Sequence, residues 1–238
     1  PRMPFNLTIA QRLALGFGII VALMLCIAVI GAMRVNFIDQ TLTEVNEGAS
    51  PKQRQAINFR GSVHDRAIAI RDAVLVRNQS GLEKHLADIR ELKSYYSESA
   101  AIMEELFADT ETSDRERELL SRIEAIQERA LEVTDTVLSL RRDGDIEEAR
   151  QFLLDDVSPA YSEWLSRVND FIDHQETLIR EDVGAVRETA SGFQFFIFAV
   201  TGFAVMVSVI ISFLFIRRIK STLGGEPSEV SAAIQGLA

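Results

Sequence analysis

Two arginines and a histidine supply the sequence's best candidates for chemistry. Successive helical residues turn by about 100°, which places Arg60, His64 and Arg71 on one strip about 40° wide. Ala56, Val63, Ile70 and Val74 flank the strip on one side, and Ile57, Ile68 and Leu75 on the other. It therefore reads as the middle of a core-facing arc. An unpaired guanidinium is costly to bury, so something anionic, or water, must meet it there. Three partners fit: Asp or Glu from a neighbouring helix, a small carboxylate ligand, or solvent reached by snorkelling side chains. The planar guanidinium fork suits a carboxylate because it binds both oxygens. Arg60 and Arg71 stand about 16 Å apart along one helix, too far to grip one small acid within a chain. Arginines from two subunits can, so a ligand between subunits is the form this chemistry takes. Tyr95, Tyr96, Thr134, Thr136, Tyr161 and Trp164 are candidate supporting groups, and each also fits plain core or interface packing.

Catalytic chemistry finds no footing. His64, His85 and His174 are far apart and lack metal-ligand spacing. No phosphate-binding glycine loop, dinucleotide fingerprint or nucleophile elbow occurs. The acidic pairs Glu104-Glu105, Glu147-Glu148 and Asp155-Asp156 point to different helix faces and read as solvated surface. The expectation is a protein that is not an enzyme and uses no metal or cofactor.

The elements that must position these residues begin with two apolar runs. Residues 13–33 and 193–216 contain no charged side chain, and either run is long enough to cross a ~30 Å hydrocarbon core. The first is too long for the core of a cleaved signal peptide and reads as a retained anchor. The net charge is −10, and the acidic excess sits wholly in residues 34–192. The flanks carry Arg2, Arg12, Arg217, Arg218 and Lys220 against Glu226 and Glu229. Basic flanks place both termini in the cytoplasm and the acidic middle across the membrane. An acidic middle also argues against nucleic acid as partner. The single Cys26 lies in the first apolar run, so no disulfide forms within the chain.

Residues 34–192 carry helix signals and no sustained strand alternation. Turn chemistry cuts them into four helices, roughly 34–79, 82–108, 113–141 and 146–192. The marks are Ser50-Pro51, a capping box at Ser80 to Glu83, another at Ser113 to Glu116, and the Asp143-Gly144-Asp145 turn with a weaker box at Asp145 to Glu148. Kinks are expected near Gly48 to Pro51 and at Ser158-Pro159. In the last helix Tyr161, Leu165, Val168, Ile172, Ile179, Val183 and Val186 keep three-four spacing, with a polar gap at Gln175. The expected fold is all-α: an up-down-up-down four-helix bundle flanked by two transmembrane helices.

Several stretches carry a family resemblance. Pro51-Lys52 and the run Asn58 to Arg66 are similar to a first sensor helix, and Gly144 to Arg150 followed by Pro159 to the entry of a fourth. Leu223-Gly224-Gly225-Glu226-Pro227, with Val230 and Ile234 behind it, resembles the entry to a HAMP relay. Jointly, and over essentially the whole chain, these resemble bacterial methyl-accepting chemotaxis proteins. The resemblance implies a cytoplasmic N-terminus at 1–12, a membrane helix at 13–33 and a periplasmic four-helix-bundle ligand-binding domain at 34–192. A second membrane helix at 193–216 and the start of a HAMP relay at 217–238 complete the layout.

The same resemblance implies a homo-oligomeric receptor, a dimer or higher, in the bacterial inner membrane that senses a small carboxylate for chemotaxis. Ligand binding falls to Arg60, His64 and Arg71, with Asn58 and Thr134 as further bets. A histidine kinase and adaptor would be engaged through a cytoplasmic part beyond Ala238. Two alternatives share the input: the sensing half of a sensor histidine kinase or diguanylate cyclase, and a non-sensory membrane coiled-coil tether.

Overall fold

In the computed structural model, residues 9–223 are described. Among them every element is helical: α1 (Ile9–Glu44), a π turn (Val45–Ala49), α2 (Ser50–Leu75), α3 (Gln79–Asp109), α4 (Asp114–Asp143), α5 (Ile146–Phe152), a second π turn (Leu153–Val157) and α6 (Ser158–Leu223). The chain forms two compact units, residues 40–185 and residues 1–39 with 186–238. The first unit is the expected four-helix bundle, its four rods joined by short turns.

The core is built from narrow stripes. On α3, Leu82, Ile89, Tyr96 and Met103 are buried at seven-residue intervals. On α4, Leu119, Ile123, Ile126, Ala130 and Val137 follow the four-three alternation, and Tyr161, Trp164, Val168 and Phe171 do so on α6. Such seams pack long helices at shallow angles, side chains of one filling gaps of the next. Leu165 and Ile179 are half-buried and Val183 is exposed, so the last helix turns its seam more toward Trp164 and Phe171 than three-four counting indicates.

Helix ends confirm some expected caps and move others. Ser113 and Glu116 make the full capping box. The cap of α3 is Asn78 rather than Ser80, its side chain accepting from Gly81 N–H at 2.6 Å. Asp145 makes no side-chain cap. Instead the turn depends on Gly144, at φ +94° with its backbone N–H on the Leu140 carbonyl. Gly144→Ala is expected to cost about 1–2 kcal/mol, read as a lower thermal midpoint. Ser50 makes no side-chain cap either. The helix passes through Pro51 by widening into a π turn, in which Ser50 N–H bonds the Val45 carbonyl. The same device precedes Pro159, with Ser158 N–H on the Leu153 carbonyl. A proline ring clashes with the carbonyl four residues back, and a π turn before it relieves the clash without a break.

In the second unit, the apolar runs of α1 and α6 are long enough to cross a membrane. Their large side chains face outward, Phe17, Met24 and Met33 on α1 and Phe195, Phe198 and Phe213 on α6 each being more than 60 % exposed. That is the arrangement lipid favours and water does not. Gly31 lets the helices approach closely, since a Cβ added there would meet Phe193 at 3.2 Å, whereas one added at Gly16 would make ordinary contact with Ile211 at 3.6 Å. The expected HAMP entry lies outside the described residues from Gly224 onward, as does the N-terminal stretch 1–8.

Candidate functional site

The expected strip is not in the core. Arg60, His64 and Arg71 are all exposed. The buried arc of α2 runs through Lys52, Phe59, Ser62, Val63, Arg66, Ile70 and Ala73, its centre rotated from that of the strip by about 125°. Ile57, Ile68 and Leu75, read as its second apolar flank, are 42 %, 36 % and 49 % exposed. Arg71 donates through Nε and Nη2 to Asp72 Oδ1 at 3.2 Å, and His64 Nδ1 lies 3.2 Å from Asp65 Oδ1. Both pairs are solvent-facing. Arg60 and His64 line an open groove of about 370 Å³ with Gly61 of α2 and with Leu165 and Asn169 of α6. Asn58 donates to Gln55 Oε1 at 3.2 Å. A larger groove of about 540 Å³ between α2 and α3 is lined by Asp65, Asp72, Asp88 and Glu91 beside Lys84 and His85. Its acidic excess disfavours a carboxylate.

Thr134, in contrast, is buried on α4. Its Oγ1 donates to the Ala130 carbonyl at 2.6 Å and meets the Tyr161 hydroxyl at 2.9 Å. Around this pair gather Tyr96, Tyr161 and Trp164, three of the aromatic residues singled out in the sequence. Tyr96 stacks on Phe59 with ring centres 4.4 Å apart and meets Trp164 edge-on at 5.2 Å, and Tyr161 lies 5.6 Å from Trp164. Thr136 points outward and Tyr95 is 45 % exposed.

The cation among these rings is Arg66, which the sequence reading did not select. It is 2 % exposed and its Cζ sits 5.4 Å from the centre of the Trp164 ring. Burial pushes the Tyr161 hydroxyl up in pKa, against the pull of Arg66 and Thr134. Burial raises Tyr96 as well. Both tyrosines are therefore neutral at ordinary pH, and their hydroxyls stand as hydrogen-bond partners of Arg66 (Tyr161) and of the Trp164 indole (Tyr96).

A second buried polar group joins three of the rods. Lys52 on α2 is 1 % exposed, Glu116 on α4 is 4 % exposed and Gln175 on α6 is fully buried. Lys52 Nζ lies 3.1 Å from Glu116 Oε1 and also donates to the Glu111 carbonyl and Thr112 Oγ1. Gln175 Nε2 donates to the same Glu116 oxygen at 2.8 Å. The other oxygen accepts from the Ser113 backbone N–H and hydroxyl. Burial pushes the Glu116 carboxyl up, but Gln175, Ser113 and Lys52 together hold it below its ordinary range. The polar gap at Gln175 marked this group in the sequence. Glu116 was marked only as a capping-box residue and Lys52 carried no signal of burial, since single charges on helices read as solvated surface.

A helical bundle with buried polar bridges between its rods, in a chain with two apolar helices long enough to cross a membrane, is the architecture of the helical-bundle sensors. Residues 6–182 match the family model of the four helix bundle sensory module for signal transduction. The chain belongs to this family, the sensory module of methyl-accepting chemotaxis proteins. No curated protein matches the chain.

Proposed function

We propose that the chain is the sensing and membrane-crossing part of a chemoreceptor that binds a small organic acid in the periplasm. On this reading residues 13–33 and 193–216 cross the bacterial inner membrane, 34–192 form the periplasmic sensor and 217–238 begin the HAMP relay. Basic residues outside both runs support that orientation.

The observation that carries the ligand reading is the uncovered stripe of α2. Ile57, Gly61, His64, Ile68, Arg71 and Leu75 repeat at four-three spacing and are all exposed in a single chain. That spacing is the seam of a helix pairing with another helix. A second copy would cover Ile57, Ile68 and Leu75, and would bring Arg60, His64 and Arg71 of two chains together. The expected two-subunit carboxylate site thus regains its cations at an interface rather than in the bundle core. Binding would shift α2 against α6, and these rods lead toward the two apolar runs. A ligand moves that balance only by its different affinity for the two arrangements, typically about 1–3 kcal/mol.

The test uses the full chain in detergent micelles with amino acids, dicarboxylates, tricarboxylates and aromatic acids. One acid is expected to raise the thermal midpoint; at 100 times its Kd it adds about 2.7 kcal/mol. Arg71→Ala should lose the shift, and Ile68→Glu should lose both the shift and the oligomer in sedimentation. An unresponsive oligomer across the whole panel would return the strip to a structural role and favour a tether.

A further inference from the structure

The uncovered stripe of α2 has two unlike edges. Set on a heptad, Gly61, Ile68 and Leu75 form one central row and Ile57, His64 and Arg71 the other. The residues just before the first row are Arg60 and Ala67, and those just after the second are Asn58, Asp65 and Asp72. The fold places these edges on opposite sides of the rod. Arg60 lies on the α6 side, in a groove with Leu165 and Asn169. Asp65 and Asp72 lie on the α3 side, in a groove with Asp88 and Glu91. Arg60 is exposed and has no ion pair among the described residues. Asp65 has His64 beside it, and both side chains are 61 % exposed. One edge thus offers a cation and the other carboxylates, all facing solvent in a single copy.

We propose that a second copy covers this stripe in parallel and in register, and that Arg60 pairs with Asp65 of the partner subunit on both sides of the two-fold axis. Between parallel helices, the edge before the central rows faces the partner's opposite edge in the next repeat, and charges there set partner and orientation. That rule matches Arg60 with the partner's Asp65. Antiparallel pairing would instead set like edges together, bringing the carboxylates of Asp65 and Asp72 against one another, which repels. Both copies also enter α2 from the first apolar run, so two chains anchored in one membrane set out in the same direction. The proposal rests on the interface reading above and narrows it. Arg60 is neutralised by the partner, and His64 and Arg71 are left to meet an acid.

The test reverses the charges in the full chain, as Arg60→Asp, as Asp65→Arg and as both together, and reads self-association in detergent micelles by sedimentation. Each single variant carries one sign on both edges and should self-associate about tenfold more weakly than the parent. Both positions are exposed, so far-UV circular dichroism should not change. The double variant restores opposite edges and should regain the parent's association. An equal mixture of the two single variants should regain it too, because both edges match in the mixed pair; different tags on the two chains identify that species. The pair is overturned if the parent associates and either single variant associates as tightly. It is overturned equally if the double variant or the mixture stays as weak as the single variants. A parent that remains a monomer at every concentration removes the interface reading itself, and the pair with it.

Discussion

Replacing Lys52 by methionine lowers the stability of the bundle by about 3–5 kcal/mol, because it strands the Glu116 carboxylate in the interior without its cation. Urea unfolding of the full chain in mild detergent, followed through Trp164, reads the loss as a lower midpoint with an unchanged slope. The double variant Lys52→Met with Glu116→Leu regains most of it, since removing both charges removes the desolvation cost of each. pH supplies an independent check. The Glu116 carboxyl titrates below its ordinary value of 4.5 in the folded chain. Its contribution is therefore present above that value and is lost as pH falls through the lower, folded one. In Lys52→Met the burial effect is opposed by fewer partners and the folded carboxyl takes its proton at higher pH. The stability gap between parent and variant should thus narrow on acidification. A constant gap down to the acid transition would show that Lys52 acts through packing on Phe107, 5.1 Å from its Nζ, and not through charge.

That bridge also shows where the sequence was legible. The Ser113 capping box and the Gly144 turn are local patterns, and each survives in the structure because neighbouring residues along the chain decide it. The cap of α3 moved from Ser80 to Asn78 because α2 ends at Leu75, four residues before the expected end at 79. Two cap-forming residues within one turn compete, and the exit path of the preceding helix chose between them. Prolines 51 and 159 were legible as disturbances; that the chain absorbs each in a π turn was not.

Helix rotation was the part that could not be read. α2 carries apolar residues around more than half its circumference, so two core arcs satisfy the same sequence. One runs through Ile57, Ile68 and Leu75 with the strip of Arg60, His64 and Arg71 at its middle. The other runs through Phe59, Ser62, Val63 and Arg66, and its small residues Ala69 and Ala73 make it look less apolar. Only the surface offered by α3, α4 and α6 decides between them, and that surface is long-range information. The physical premise held while its subject changed. A guanidinium is buried in the bundle beside Thr134, Tyr96, Tyr161 and Trp164, but it is Arg66.

Trp164→Ala should cost the bundle about 3–5 kcal/mol, a large share of the about 5–15 kcal/mol that holds a domain folded. The ring is fully buried and meets Tyr96, Tyr161 and the Arg66 guanidinium at once. No single neighbour can move in to fill the space without leaving the other two. Trp164→Phe keeps an aromatic face for the guanidinium and gives up only an indole N–H that makes no well-formed hydrogen bond, so it should cost clearly less. Far-UV circular dichroism in urea measures both, since the fluorescent reporter is gone. A double-mutant cycle of Trp164→Ala with Arg66→Met separates packing from charge. A coupling of about 1–2 kcal/mol is expected if the ring face stabilises the desolvated cation. A coupling near zero would mean that Trp164 fills volume only and that Arg66 depends on some other group for its charge. Because the two residues sit on α2 and α6, the same number sizes the direct contact between the two rods that the proposed sensing mechanism would move.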